Sequence, residues 1–484
     1  MNKFLPAPWV ILLLIVLKPG LTPAQESIAY TNMYTAKDIT VGFGSYGRIG
    51  TSWTFEESSI EGRRLNLNNM GSSGGRMEEQ DYLELGMAFH MRPPQLIKDS
   101  TTVSIQFRAN IFSRSLSLFG NSNTASEGGL TIGLPEMYLE ARNILTKDLN
   151  IWVGARLYRG GDVHMADYFY FNDHSGQGFG IEYKATRFHV NFISSTDTTA
   201  TVPPFFFLNI NSGTPSLELR RRIVYTLEKD FRTGRNQLLT ALGEFHRIGD
   251  PSRNNDPSDS TNLLLSFPGD VGWVLGLKYQ HNDFAFLPGS FHQIGVRYGI
   301  GIANGGDGGS SRTWETFGAP NLETNEFNSA YSWHVVDHFL LNFSPKFSLN
   351  GYAVYNESRG AADTRDIAET YFGREVFNSK RDFTIGFRGI RFITDAFHLQ
   401  GEINYSQRQD GTQPWYRMTK LSIVPLLALK GERSIWSRPQ IRFVYSVARY
   451  NDFAAEQRYS PFLDLLGSQR WGNYFGIKAE WWTW

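Results

Sequence analysis

The sequence predicts an all-β fold, a transmembrane antiparallel β-barrel of about 18 strands. Three features predict it: two-residue alternation of apolar and polar side chains, an export-type N-terminus with no later long apolar run, and a final alternating strand ending on an aromatic. A closed barrel pairs its backbone groups between strands, so only alternate residues need be apolar. A mean hydropathy of −0.32 beside 14% aromatic residues and 47 glycines fits such a wall.

Lys3 precedes an unbroken apolar run, Val10 to Leu17, followed by Pro19 and Gly20; Thr22 and Ala24 then offer a small-residue cleavage site before Gln25. The run is too short for a membrane anchor. Residues 1–24 are therefore expected to be a signal peptide, 25–38 an N-terminal extension and 39–484 the barrel. The absence of Cys removes disulfides, thiol nucleophiles and Cys-based metal sites. Lys+Arg and Asp+Glu balance at 47 each, so charge points to no nucleic-acid partner. No cofactor is expected.

Alternation is plainest from Tyr82 to Met91, where Leu83, Leu85, Met87, Phe89 and Met91 oppose Tyr82, Glu84, Gly86, Ala88 and His90. It recurs over Val103–Ile111 and Leu149–Tyr158, and around Trp273–Tyr279, Phe397–Tyr405 and Ile441–Val447. The polar faces carry Arg, Glu and Gln, as a wet lumen would. Connections are unequal, some tight and others long and polar, such as Asn254–Asn262 and Asn304–Arg312. At roughly 25 residues per strand and connection, ~460 mature residues give on the order of 18 strands, wide enough for an aqueous channel.

Three signals carry less. Gly42, Gly44 and Gly47 form G-x-G-x-x-G, but inside an alternating strand, without the following helix that a dinucleotide site needs. Asp162, His164 and Asp167, with Asp173 and His174, match no standard ligand spacing and read better as hydrogen-bonding groups that hold a loop. The run Arg220–Arg222 is a short basic patch in a neutral chain. No nucleophile–base pairing marks an enzyme.

Four stretches resemble the maltoporin family of sugar-specific porins: VGFGSYGRIG (41–50), IWVGARLYRGGDVHMADYFYFND (151–173), SIWSRPQIRF (434–443) and the closing FGIKAEWW (475–482). The resemblance implies an 18-stranded, trimeric outer-membrane barrel in contact with lipid, whose third loop folds inward as a constriction. It implies facilitated diffusion of maltodextrins or other small oligosaccharides along a lane of aromatics flanked by ionic groups. By motif, the lane is Tyr46, Tyr82, Trp436 and Trp482. The polar track and constriction are Arg48, Arg76, Glu84, Arg159, Asp162, Asp167 and Phe169. Parity places Trp436 with Arg438, Gln440 and Arg442, and Trp482 with Lys478 and Glu480, on polar faces; for Tyr46 and Tyr82 a lipid-facing girdle is the alternative. This chain departs from the family's pattern at Gly160 (an Arg there), Phe169 (a Tyr), Asn172 (an acid) and Pro135 (an Arg). The second-loop Trp has no counterpart between Phe119 and Thr131, and the mid-channel aromatic falls at Ile294 or Phe291. A general diffusion porin and, further off, a barrel hydrolase are the competing readings.

Overall fold

Residues that alternate in the sequence form the wall of a closed 18-strand antiparallel barrel. The computed structural model describes residues 31–36, 39–55, 62–91, 101–113, 130–193, 206–209, 216–219, 222–249, 268–305, 315–369 and 375–483. The expected signal peptide, the second-loop region, Arg220 and Arg221, and the connection Asn254–Asn262 lie outside the described residues.

A short strand β1 (Thr31–Ala36) precedes the wall strands β2 (Ile39–Trp53), β3 (Tyr82–Met91), β4 (Thr102–Ser113), β5 (Leu130–Arg142) and β6 (Leu149–Arg156). Then β7 (Asp162–Val163) and β8 (Tyr168–Phe169) pair only with each other. The wall resumes at β9 (Gly176–Tyr183) and β10 (Thr186–Ile193); β11 (Phe206–Asn209) and β12 (Ser216–Leu219) form a separate hairpin. Next come β13 (Arg222–Gly234), β14 (Gln237–Ile248), β15 (Asp270–Asn282), β16 (Phe291–Gly301), β17 (Tyr331–Ser344) and β18 (Phe347–Arg359). A second side hairpin, β19 (Ile367–Glu369) with β20 (Glu375–Phe377), precedes the last wall strands. These are β21 (Ser379–Phe392), β22 (Phe397–Asp410), β23 (Tyr416–Ala428), β24 (Gln440–Tyr450) and β25 (Trp471–Trp482).

Strand β25 pairs back onto β2, with Trp482 opposite Tyr46 and Phe475 opposite Trp53, and the ring closes. At the seam, a Cβ on Gly47 would overlap the Trp481 ring, so the third glycine of G-x-G-x-x-G makes room for the closing strand. Strand β1 pairs with the first part of β2, Thr31 opposite Phe43, along the edge that β25 leaves by ending opposite Tyr46. Part of the expected extension thus lies against the wall.

Turns of two residues, 184–185, 235–236 and 345–346, sit at the end that also holds β1's hairpin and the end of β25. Long connections fill the other end. In barrels of the outer membrane the short turns face the periplasm and the long loops face out. The outward residues form an apolar band: Leu275 is 63% exposed and Ile423 58%, a surface suited to lipid. The inward face is packed by two loops. Leu65, Leu67, Met70 and Met77 lie buried against Met418, Val424, Val444 and Tyr450. Val163, Met165, Tyr168 and Phe171 lie buried against Leu242, Val336, Tyr352 and Val354.

Candidate functional site

Residues 157–175 leave β6 and cross the lumen. The strand stops at Arg156, two residues short of the expected Tyr158, whose buried ring stacks on Trp152 at 6.2 Å. Beyond it, alternation gives way to a compact hairpin whose apolar groups face the wall rather than lipid. Asp167, at φ 46° and ψ 49°, turns the chain between β7 and β8. The Tyr168 hydroxyl accepts from Asn356 Nδ2 at 3.0 Å, and the Tyr170 hydroxyl donates to Gln293 Oε1 at 3.3 Å. Lys278 donates to the Gly160 carbonyl and Asn172 to Glu228. The loop is thereby tied to strands across the barrel from its origin.

Residues 62–81, after β2, also fold inward. Lys420 inside β23 donates to Asn66 Oδ1 at 2.8 Å and pairs with Glu78 at 2.7 Å, both fully buried. Each buried Leu or Met of this loop contributes roughly 1.5–3 kcal/mol. The two loops meet where Arg76 Nη1 donates to the His164 carbonyl at 3.4 Å.

Rings descend along the closing seam. Tyr82 opens β3, and its ring centre lies 5.8 Å from that of Tyr46. Register sets Tyr46 between Glu84 on one side and Trp482 on the other. His164 of the crossing loop lies 5.9 Å from Trp482 and 5.0 Å from Trp436. Its pKa is well below the ordinary histidine range because burial, then Arg76 and Arg438, oppose protonation, so the ring is neutral. Trp436 stands beside the crossing loop, but strand parity is not what puts it there. It lies in the turn before β24, which starts only at Gln440, and an inward bend of that turn brings it to His164.

Charged groups run beside the rings. Glu480, fully buried, accepts from Arg76 at 2.8 Å, Arg438 at 2.7 Å, Gln440 at 2.9 Å and the Tyr46 hydroxyl at 3.2 Å. Arg48 pairs with Glu79 at 3.1 Å and lies 5.0 Å over the Tyr82 ring. The Tyr82 hydroxyl donates to Glu84, which also receives Arg108 at 2.9 Å. Arg438 lies 4.3 Å over Trp482. Glu480, Arg438 and His164 are central here, and the motif matching had not put them in the site; the polar parity of Glu480 was the only signal for it.

On the crossing loop, Arg159 stands 4.3 Å over the Phe169 ring and 3.5 Å from Asp173. A Cβ on Gly160 would overlap the Asn172 carboxamide, so the two departures from the family pattern go together. Gly160→Ala is expected to displace Asn172 from Glu228 and cost about 1–3 kcal/mol. The checks are a lower unfolding temperature on a heat-modifiability gel and noisier open-channel current.

Burial, then the charge of Asp167, raises the Asp162 carboxyl to about 7. A raised carboxyl pKa means that the ionised form is opposed: the cost to the folded loop is present above about 7 and fades as pH falls below it. Cation selectivity, read as zero-current potential in a salt gradient, is expected to be greater at about pH 8 than at about pH 6. In Asp162→Asn the Asp162 contribution to that shift should vanish; an undiminished shift would reject it.

A family model described as LamB porin matches residues 41–482. The chain belongs to the LamB porin family, that of the maltoporins. It is therefore an outer-membrane porin, a channel rather than an enzyme. Similar solved structures include Salmonella typhi OmpF complexed with daunomycin, 9% identical over 93% of this chain and 99% of that one, TM-score 0.41. The outer membrane channel DcaP of Acinetobacter baumannii is 10% identical over 93% and 99%, TM-score 0.41. A loop L8 deletion mutant of OmpT, an outer membrane protein of Vibrio cholerae, is 10% identical over 92% and 100%, TM-score 0.38.

In this LamB-family porin a cavity of about 480 Å³ opens on the short-turn side of the crossing loop, bordered by Asp162, His164, Phe291, Gln293, Lys278 and Trp436. Of the two candidates for a mid-channel aromatic, Phe291 lines this cavity, whereas Ile294 faces outward and is 37% exposed. Pro135 lies where β5 bulges against β4, a position that needs no ladder donor. The acid and histidine groups of the loop do not gather into one cluster. His174 instead reaches Glu244 at 3.2 Å, alongside His246 at 2.9 Å and Arg297 at 3.1 Å, and anchors the end of the loop to β14 and β16.

Proposed function

We propose that this porin passes small neutral oligosaccharides by passive diffusion along Tyr82, Tyr46, Trp482 and Trp436. Four rings in descending order at the closing seam, with Arg48, Arg76, Glu84 and Glu480 beside them, carry the reading. Pyranose C–H patches lie against aromatic faces, and sugar hydroxyls exchange hydrogen bonds with flanking ionic groups. Rows of weak, similar sites recruit a sugar and still release it. On the crossing loop, Asp162, Asp167, Arg159 and Phe169 face the passage as a second, mixed surface that selects among sugars. A homotrimer in outer-membrane lipid completes the proposal; cross-linking of the native protein should give three subunits and no higher species.

Planar-bilayer conductance tests the sugar reading. Maltodextrins or sucrose should block ion current saturably, and a panel without any saturable block would overturn it. One observation favours a general diffusion porin: Arg48 covers Tyr82 and Arg438 covers Trp482, so protein groups already occupy two ring faces. A current that falls only in proportion to sugar-induced viscosity would decide for that reading.

A further inference from the structure

At the long-loop end of β17, β18, β21 and β22 the outward apolar surface gives way to a basic hollow. Strand parity sets Glu357 and Arg359 outward, against buried inward Asn356 and Ser358. Register places Arg381 beside Glu357 and Arg359 beside Tyr331. With Arg365 from the following loop, these residues border a concavity of about 190 Å³.

The cations there are under-compensated. The Glu357 carboxylate accepts from the Tyr331 hydroxyl at 3.3 Å and the Tyr355 hydroxyl at 2.6 Å, and stands 3.8 Å from Arg381. Arg359 donates to the Asp363 backbone carbonyl at 3.2 Å, not to a carboxylate. The Arg365 side chain is exposed and has no partner among the described residues. Asp366, the nearest acid of that loop along the chain, accepts from Thr412 at 2.9 Å. Three guanidinium groups thus border one hollow with one carboxylate, itself held by two phenols.

Depth identifies the occupant. One step down β17, β18 and β21 the outward residues are Trp333, Tyr355 and Phe383, and two steps down β22 stands Tyr405, aromatics of the kind found at the boundary between hydrocarbon and headgroup. The hollow therefore lies at headgroup level in the outer leaflet. Planar guanidinium forks suit phosphate oxygens. We propose that this hollow binds the phosphate of an outer-leaflet lipid whose acyl chains lie along the apolar band below it. The proposal depends on the barrel and its orientation, not on the sugar reading.

Native mass spectrometry of the full-length porin in detergent tests it, with bisphosphorylated lipid A, the same lipid stripped of phosphate, and inorganic phosphate alone. Stripping the phosphates should weaken lipid binding on the order of a hundredfold, from three cationic contacts. Arg359→Gln, Arg365→Gln and Arg381→Gln combined should lose the phosphorylated lipid to the same degree, with ion conductance unchanged because Arg359 and Arg381 face away from the lumen and Arg365 borders the same outer hollow. Equal retention of stripped lipid, or full retention by the triple variant, would overturn the proposal. So would inorganic phosphate binding as tightly as the lipid, which would make the hollow a free-anion site. Should the triple variant not fold, the comparison of the two lipids on the native protein decides.

Discussion

Removing both indoles, Trp436→Ala with Trp482→Ala, is expected to weaken sugar block of the channel about thirtyfold. Each ring face in a lane of this kind is worth ~1 kcal/mol, so two give ~2 kcal/mol, or about thirtyfold in half-saturating concentration. The effect should fall on affinity, since neither indole carries charge and the ionic groups beside them stay. Both rings touch His164, so the single variants are expected to depart somewhat from multiplying. Trp481→Ala is the control. That indole points outward, donating to Ser45 Oγ at 3.1 Å beside Gly47, and its loss should leave sugar block as it was. Titrating the blocked current with sugar measures all three variants; a double variant with unchanged half-saturation would remove both rings from the lane.

The wall was legible in the sequence because lipid and lumen impose opposite demands on successive residues. Strand β3 runs from Tyr82 to Met91, the bounds that alternation predicts. Where that pair of solvents no longer acts, the pattern lost its meaning. The inward fold of residues 62–81 was not foreseen, since Leu65, Leu67 and Met70 stand isolated among Asn, Gly and Ser and resemble any surface loop. They become core only because the inner faces of β23 and β24 lie opposite. The crossing loop was found by family resemblance, and its apolar residues show no period of two because they meet several strands at once. For Trp436, counting by twos back through Pro439 assumed a strand that starts at Gln440. A turn, not a pleat, brings Trp436 beside His164. Glu480 was visible only as one polar residue on a polar face, since its partners come from β2, from the first loop and from the turn before β24.

That convergence makes Glu480→Gln the substitution with the largest expected cost to the folded barrel. The carboxylate is shared by Arg76 at 2.8 Å, Arg438 at 2.7 Å and Arg442 at 3.4 Å. Gln keeps the shape but withdraws the charge that holds three guanidinium groups together in a buried place. Breaking a buried pair in this one-sided way costs about 3–5 kcal/mol, because the remaining cations repel and lack a counter-charge. Arg76 keeps Glu79 at 3.0 Å, so the first loop should stay partly held. Arg438 has no such second acid among the described residues: its other hydrogen bonds go to the backbone carbonyls of Ile435 and Ser437. The turn carrying Trp436 should therefore loosen first. The expected signature is a lower temperature of conversion to the unfolded gel band, with a rise in half-saturating sugar concentration from Trp436 and Tyr46 losing their fixed positions. Arg438→Met added to Glu480→Gln removes one of the stranded charges and should restore part of the stability but not the sugar affinity. A double variant no more stable than Glu480→Gln would show that charge repulsion at the seam is not what the carboxylate relieves.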